Sequence, residues 1–198
     1  MLNTMQRSPC KARAFTLIEL LVVISIIIIL MGLLFPAFRG AQDQAKKVQA
    51  KNDLVQIVTA VNAFYTEYGQ YPGPSGSDTT FGSSGTTNKA LFDESRGTGG
   101  TVNTRQIVFI TLPDVKDPAN PRSGIGTTTR TGEYFDPWGM PYNIIVDGNY
   151  DNQITNPYGG SANAGSGTLR QGVIAWSLGK NKTQDTDVKA GDDVLSWQ

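Results

Sequence analysis

Histidine is absent from all 198 residues. Its absence excludes Ser-His-Asp and Cys-His nucleophile systems, His-containing zinc sites and imidazole general bases. Cysteine occurs once, as Cys10, so no intrachain disulfide can form. Neither sign of charge is in excess, since Lys+Arg and Asp+Glu both number 17. That balance gives no reason to expect nucleic acid or a polybasic membrane patch among the partners. No G-x-x-x-x-G-K-[ST] phosphate loop occurs, so any ATP-driven work must belong to another protein. Carboxylate-pair chemistry, as in glycosidases, stays open.

What the chain does have is one long apolar run, FTLIELLVVISIIIILMGLLFPAF, from Phe15 to Phe38. As a helix it is about 36 Å long, enough to cross a hydrocarbon core of roughly 30 Å. Arg7, Lys11 and Arg13 precede it with no acid among them. The positive-inside tendency therefore places residues 1–14 in the cytoplasm and the remainder outside. A cleaved secretory signal has a shorter apolar region ending at a small-x-small site, and the run here ends without one. An uncleaved signal anchor fits the length. Neither explains Glu19, the one ionisable side chain in the run. A carboxylate in a membrane helix costs about 2.5–3.5 kcal/mol on insertion scales and is usually paired or functional. A cut between Ala14 and Phe15 would create an α-amine one helical turn from Glu19. The amine of one subunit could then meet the Glu19 of a neighbour and set axial register.

Lys11-Ala12-Arg13-Ala14-Phe15-Thr16-Leu17-Ile18-Glu19-Leu20-Leu21-Val22-Val23-Ile24 resembles the cleavage and methylation segment of the type IV pilin-like family, which includes type II secretion pseudopilins. The resemblance implies that a prepilin peptidase cuts between Ala14 and Phe15, that Phe15 is N-methylated, and that Glu19 directs assembly. Ala14 stands where the family usually has Gly; as the next smallest residue it is expected to permit cleavage. Pro36 either kinks the helix where filament subunits pack or marks the membrane exit.

Residues 41–68 carry Val48, Leu54, Val55, Val58, Val61, Tyr65 and Tyr68 at helical spacing, with Lys46, Lys47, Lys51, Asp53 and Gln56 elsewhere. This predicts an amphipathic helix that stops near Gly69. Residues 73–133 read mainly as loop, with a short helix around Asn88–Asp93 and an apolar element at 105–113 of undecided type. The last third reads as the sheet. Asn143–Val146 is a strand ending at a hairpin-turn signal, Asp147-Gly148; Gly172–Leu178 is a second strand, and 193–197 an edge strand or tail. Asp147…Asp151-Asn152 reads as a plain turn. Tyr68-Gly69-Gln70-Tyr71-Pro72 and Asp136-Pro137-Trp138-Gly139-Met140-Pro141-Tyr142 resemble segments of major pseudopilins. The second is a rigid turn with two aromatics to pack under the sheet.

The expected fold is α+β: a long N-terminal α-helix, half transmembrane and half amphipathic, packed on a small antiparallel β-sheet with long loops. The domains are a leader, 1–14; a transmembrane or filament-core helix, 15–38; and an extracytoplasmic domain, 39–198, comprising helix 41–68, loops 73–133 and sheet 136–198. In the tail, Asp185, Asp187, Asp192 and Asp193 cluster beside Asn181. Hard oxygen ligands on a loop suit Ca²⁺, and the tail resembles the Ser-Leu-Gly…Asp-x-Asp…Trp calcium loop of major pseudopilins. Asp187 and Asp192 are the first-choice ligands. Lys180-Asn181-Lys182 departs from the family's Asp-Gly, and a solvated acidic loop is the competing reading.

The resemblance implies a non-enzymatic filament subunit, strongest in likeness to the major pseudopilin of a type II secretion system. It would be held single-pass in a bacterial inner membrane with its C-terminal domain periplasmic. Its implied partners are copies of itself, prepilin peptidase, minor pseudopilins, an inner-membrane assembly platform and membrane lipid. The competing class is a membrane-anchored extracytoplasmic enzyme or carbohydrate-binding module using Trp138, Trp176 and the acidic tail.

Overall fold

The computed structural model describes residues 15–128 and 130–198. The expected leader, with Ala14 and Cys10, lies outside them. The chain divides into two compact units, residues 1–43 and 44–198.

Helix α1 is assigned over Leu17–Tyr68 and runs through Pro36. Among the described residues of the first unit its large apolar side chains are exposed: Leu17 is 87% exposed, and Ile18, Leu21, Ile28 and Leu33 are exposed as well. Among the described residues, the length and apolarity of a membrane span are met by Leu17–Leu33 and Phe38–Tyr68 together, as a broken pair, and by no single helix.

The second unit is built on the C-terminal part of α1. Ala50, Leu54, Ile57, Ala60, Val61 and Phe64 are buried, a stripe at the three-to-four residue spacing of a core-facing helix. This face meets the expected one in part: Leu54 and Val61 are buried and Val58 and Tyr68 half-buried, but Val48, Val55 and Tyr65 are exposed, and Asp53, expected on the polar side, is buried. The helix has apolar residues on both sides, and the side that meets the sheet is set by what the sheet offers. The Tyr142 hydroxyl donates to Asp53 Oδ2 at 2.8 Å, giving the buried acid its partner. Burial raises the Asp53 carboxyl, against the hydrogen bonds from Tyr142 and Tyr134 that lower it. The helix ends where expected: Gly69 takes φ +69° and its N–H donates to Tyr65 O, the left-handed stop that glycine adopts without strain.

After α1 come β1 (Thr79–Phe81), α2 (Lys89–Ser95), β2 (Gly124–Ile125), β3 (Tyr134–Phe135), β4 (Asn143–Val146), β5 (Ile154–Thr155), β6 (Thr168–Leu169), β7 (Val173–Ser177) and β8 (Val194–Leu195). The main sheet has order β1-β4-β7-β8, antiparallel throughout. Alternate residues point to opposite faces. Phe81, Ile144, Val146, Val173, Ala175 and Val194 join Ala50, Leu54, Ile57, Ala60 and Val61 of α1 in one core, while Ile145, Ile174, Trp176 and Leu195 pack with Ile154, Tyr158, Ala164 and Val188 in another. The sheet is therefore covered on both faces.

Three expectations are corrected. Asp147-Gly148 does not turn β4 into a hairpin; β4 pairs with β7, and the intervening chain makes its own β5–β6 pair and covers the second face. The loop expected over 73–133 contains β1, which pairs with β4, and β2, which pairs with β3. The apolar stretch 105–113 forms no regular element, though Ile110 and Leu112 reach the core. The short helix stands as α2, and β8 is an edge strand.

The Asp136–Tyr142 turn does pack under the sheet. Asp136 Oδ1 accepts from Trp138 N and Met140 N, both at 2.9 Å, and Oδ2 accepts from the Ser177 hydroxyl at 2.6 Å. One fully buried carboxylate thus closes the turn and ties it to β7, and Trp138 and Tyr142 enter the core beside α1.

Candidate functional site

Two places carry the expected chemistry, one in each unit. At the start of α1, Thr16 precedes the first helical residue and Glu19 lies in the first turn. Thr16 N and Thr16 Oγ1 donate to Glu19 Oε2 at 2.8 and 2.6 Å, and Glu19 N donates back to Thr16 Oγ1 at 3.3 Å. This is a reciprocal capping box, which satisfies N–H groups that a helix start leaves without partners. The signal was present in the sequence as Thr16-x-x-Glu19 but not read there. It changes the view of Glu19, which has a local partner in the isolated chain rather than none. The box uses the carboxylate as an acceptor only, and an acceptor can be neutral.

The second place is the tail. Asp185 Oδ2 accepts from Asp192 N at 2.7 Å and Asp193 N at 3.0 Å, and Asp185 Oδ1 accepts from Asn181 Nδ2 at 2.9 Å. Asp193 Oδ2 accepts from Asp185 N at 2.8 Å and from the Tyr158 hydroxyl at 2.7 Å. Asp192 Oδ2 accepts from Lys180 N and Asn181 N. These bonds fold the loop so that one carboxylate oxygen from each of Asp185, Asp192 and Asp193 lies within 4.8 Å of the others. Gly179, at φ +63°, allows the approach, because a Cβ there would lie 2.4 Å from the Asp192 carbonyl oxygen.

Asp187, a first-choice ligand on sequence, is not in the cluster. Its Oδ1 accepts from Asn163 Nδ2 at 2.8 Å and Lys189 N at 3.0 Å, and its backbone bridges to Ala162. Asp187 instead fastens the tail to the loop that covers the sheet.

The electrostatics of the cluster are uneven. Burial pushes the Asp193 carboxyl up, the neighbouring Asp185 and Asp192 charges add to this, and the Asp185 N–H and Tyr158 hydroxyl oppose it. Asp185 is also raised by burial, but hydrogen bonds from Asp193 and Asp192 N–H, the Asn181 amide and the Lys47 charge bring it below its ordinary value. Among the described residues, Asp192 Oδ1 and Asp193 Oδ1 are buried with no hydrogen-bond partner. Buried carboxylate oxygens left unpaired are costly. Three converging carboxylates with two such oxygens form a hard, anionic donor set that fits a divalent cation such as Ca²⁺.

Trp138 and Trp176 do not line a common site. They are 6% and 5% exposed and belong to separate cores, so neither ring is presented for stacking on a ligand. Asp147 Oδ1 and Oδ2 accept from Asp151 N and Asn152 N, the plain turn expected there.

Comparison with known proteins finds one family match, at the N-terminus, and several relatives. Residues 10–35 match the family described as the prokaryotic N-terminal methylation motif. The chain is 41% identical over 61 residues to the type IV major pilin protein PilA of Myxococcus xanthus, covering 31% of this chain and 28% of that protein. It is 36% identical over 66 residues to the type II secretion system core protein G of Escherichia coli, covering 33% and 46%. Against the type II secretion system core protein G of Klebsiella michiganensis it is 27% identical over 138 residues, covering 70% and 76%. The first two matches span less than half of each relative's length. No solved structure matches the chain.

Proposed function

We propose that this chain, whose residues 10–35 match the prokaryotic N-terminal methylation motif, is a structural subunit of a pilus-like filament, the pseudopilus of a type II protein secretion system. The observation that carries the reading is the first unit: an apolar helical run, exposed in the isolated chain, with one acid in its first turn. Exposed apolar surface on this scale calls for lipid or for other copies of itself, and a pilus-like subunit has lipid before assembly and other copies after it. Prepilin peptidase cuts between Ala14 and Phe15 and methylates Phe15. The helix is held in the inner membrane with the second unit periplasmic. Extraction into the filament then exchanges lipid for neighbouring helices, and Glu19 meets the terminal amine of the next copy. Minor pseudopilins and the assembly platform, with its ATPase, supply initiation and force. No catalytic activity is assigned.

Likeness to core protein G over much of the chain favours secretion over adhesion or motility. The test is fractionation of cells producing the full chain with its cognate assembly system. The expected result is an inner-membrane pool without the ATPase and a sheared filament fraction with it. Recovery in the membrane fraction alone under both conditions would refute the filament reading.

We further propose that Asp185, Asp192 and Asp193 hold Ca²⁺, which neutralises the two unpaired carboxylate oxygens and fixes the tail. A cation present at a hundred times its dissociation constant stabilises a fold by about 2.7 kcal/mol. For a chain of this size that raises Tm by roughly 5–10 °C. Thermal unfolding of the full chain in detergent should show such a rise on replacing EDTA with Ca²⁺. The rise should vanish in Asp192→Asn, which keeps the acceptor for Lys180 N and Asn181 N. Identical melting with EDTA and Ca²⁺ would remove the cation proposal.

A further inference from the structure

Two lysines of α1 reach across to the same tail. Lys51 Nζ donates to Leu195 O at 2.7 Å and Ser196 O at 3.4 Å, and also to Gln198 O. Lys47 Nζ donates to Gly191 O at 3.1 Å, the carbonyl immediately before Asp192. A lysine ammonium has three rotatable donors, and here one such group gathers three main-chain oxygens of a segment whose only regular element is the two-residue edge strand β8. Between the two lysine contacts lie Asp192 and Asp193, whose N–H groups bond back to Asp185. The tail's path from Gly191 to Gln198 is thus set from the helix side by Lys47 and Lys51, and from the loop side by Asp185.

We propose that Lys47 and Lys51 are positioning residues for the Asp185–Asp192–Asp193 cation site, so that divalent-cation occupancy and docking of the tail on α1 stabilise each other. The proposal rests on the cation reading of the loop and adds how the site is held and what it controls. The lysines do not ligate the metal. They hold the segment that brings two of the three carboxylates to the third. Coupling between two equilibria is reciprocal: if docking organises the site, the bound cation must tighten docking by the same factor. The cation would thereby act on the helix face beside the exposed Val48, which is next to Lys47 and faces away from the core.

The experiment uses the full chain in detergent, with Ca²⁺ affinity measured by calorimetry and amide exchange read over residues 191–198. Lys51→Met keeps most of the apolar stem and removes the donors. The expected result is a loss of Ca²⁺ affinity of about tenfold, within the usual range of coupling between sites, with faster exchange across the tail. Ca²⁺ should slow tail exchange in the unaltered chain. Lys51→Arg, which can still donate to carbonyls, should recover most of both properties. Unchanged affinity in Lys51→Met, while the unaltered chain binds Ca²⁺, would overturn the positioning role and leave the cation reading standing. Should the unaltered chain bind no Ca²⁺, the cation reading fails first, and faster tail exchange in Lys51→Met would then report a lysine tether without a metal.

Discussion

Glu19→Ala should insert into the membrane normally and fail to enter filaments. Removing a carboxylate from a membrane helix removes an insertion cost of about 2.5–3.5 kcal/mol, so the membrane pool is not reduced. In the filament the same change leaves the amine of a neighbouring subunit without its counter-charge. Breaking a buried pair from one side costs about 3–5 kcal/mol, a factor on the order of 10² to 10⁴ in an assembly equilibrium. The capping box makes a second variant informative. Glu19→Gln keeps an acceptor for Thr16 N and Thr16 Oγ1 but has no charge to offer the amine. If pairing across subunits decides assembly, Gln fails as Ala does. If the box alone matters, Gln assembles and Ala is only impaired. The readout is the ratio of sheared-filament to membrane-bound subunit by immunoblot, and normal incorporation of Glu19→Gln would defeat the charge-pairing mechanism.

A second large effect separates the two sides of α1. Phe64 is fully buried and meets Tyr68 and Phe109 at ring-centroid distances of 4.9 and 5.2 Å. Phe64→Ala should destabilise the second unit by about 3–5 kcal/mol, the cost of deleting a buried ring that its neighbours cannot replace. Val48 is 60% exposed, so Val48→Ala should change stability by less than about 0.5 kcal/mol, as surface substitutions do. Chemical denaturation of both variants measures the contrast. Equal destabilisation would mean that the helix packs through the face carrying Val48.

That contrast also marks how far local sequence could take the structure. The apolar run, its single acid and the stop at Gly69 are local signals, and each lies where the helix begins, continues or ends. Strands β4, β7 and β8 were legible because Ile, Val and Trp recur in short runs beside glycine. Strand β1 was not, since Thr79–Phe81 sits in a Gly- and Ser-rich stretch and becomes a strand only by pairing with β4. The buried face of α1 was legible only in part, at Leu54 and Val61, because the helix is apolar on both sides; the buried Asp53 has its partner in the Tyr142 hydroxyl, distant in sequence. Asp147-Gly148 carried the hairpin signal, but no strand follows at once to accept it, and the partner of β4 is β7.

In the tail, three of the four expected carboxylates converge and Asp187 turns to Asn163. Spacing along a loop places acids near one another, but which of them face inward is decided by backbone N–H groups, here those of residues 180, 181, 185, 192 and 193. The two lysines that reach the tail from α1 left no pattern in the sequence, because their acceptors are main-chain carbonyls more than a hundred residues away.

Filament assembly through Glu19 requires a free amine at Phe15, and that amine exists only after proteolysis. Intact-mass and N-terminal peptide mass spectrometry of the protein purified from its native membrane reads this directly. The predicted species begins at Phe15 and carries one methyl group on its amine. A chain that still begins at Met1, or one cut near Gly40, would contradict the pairing of Glu19 with a neighbouring terminus and the filament function that depends on it.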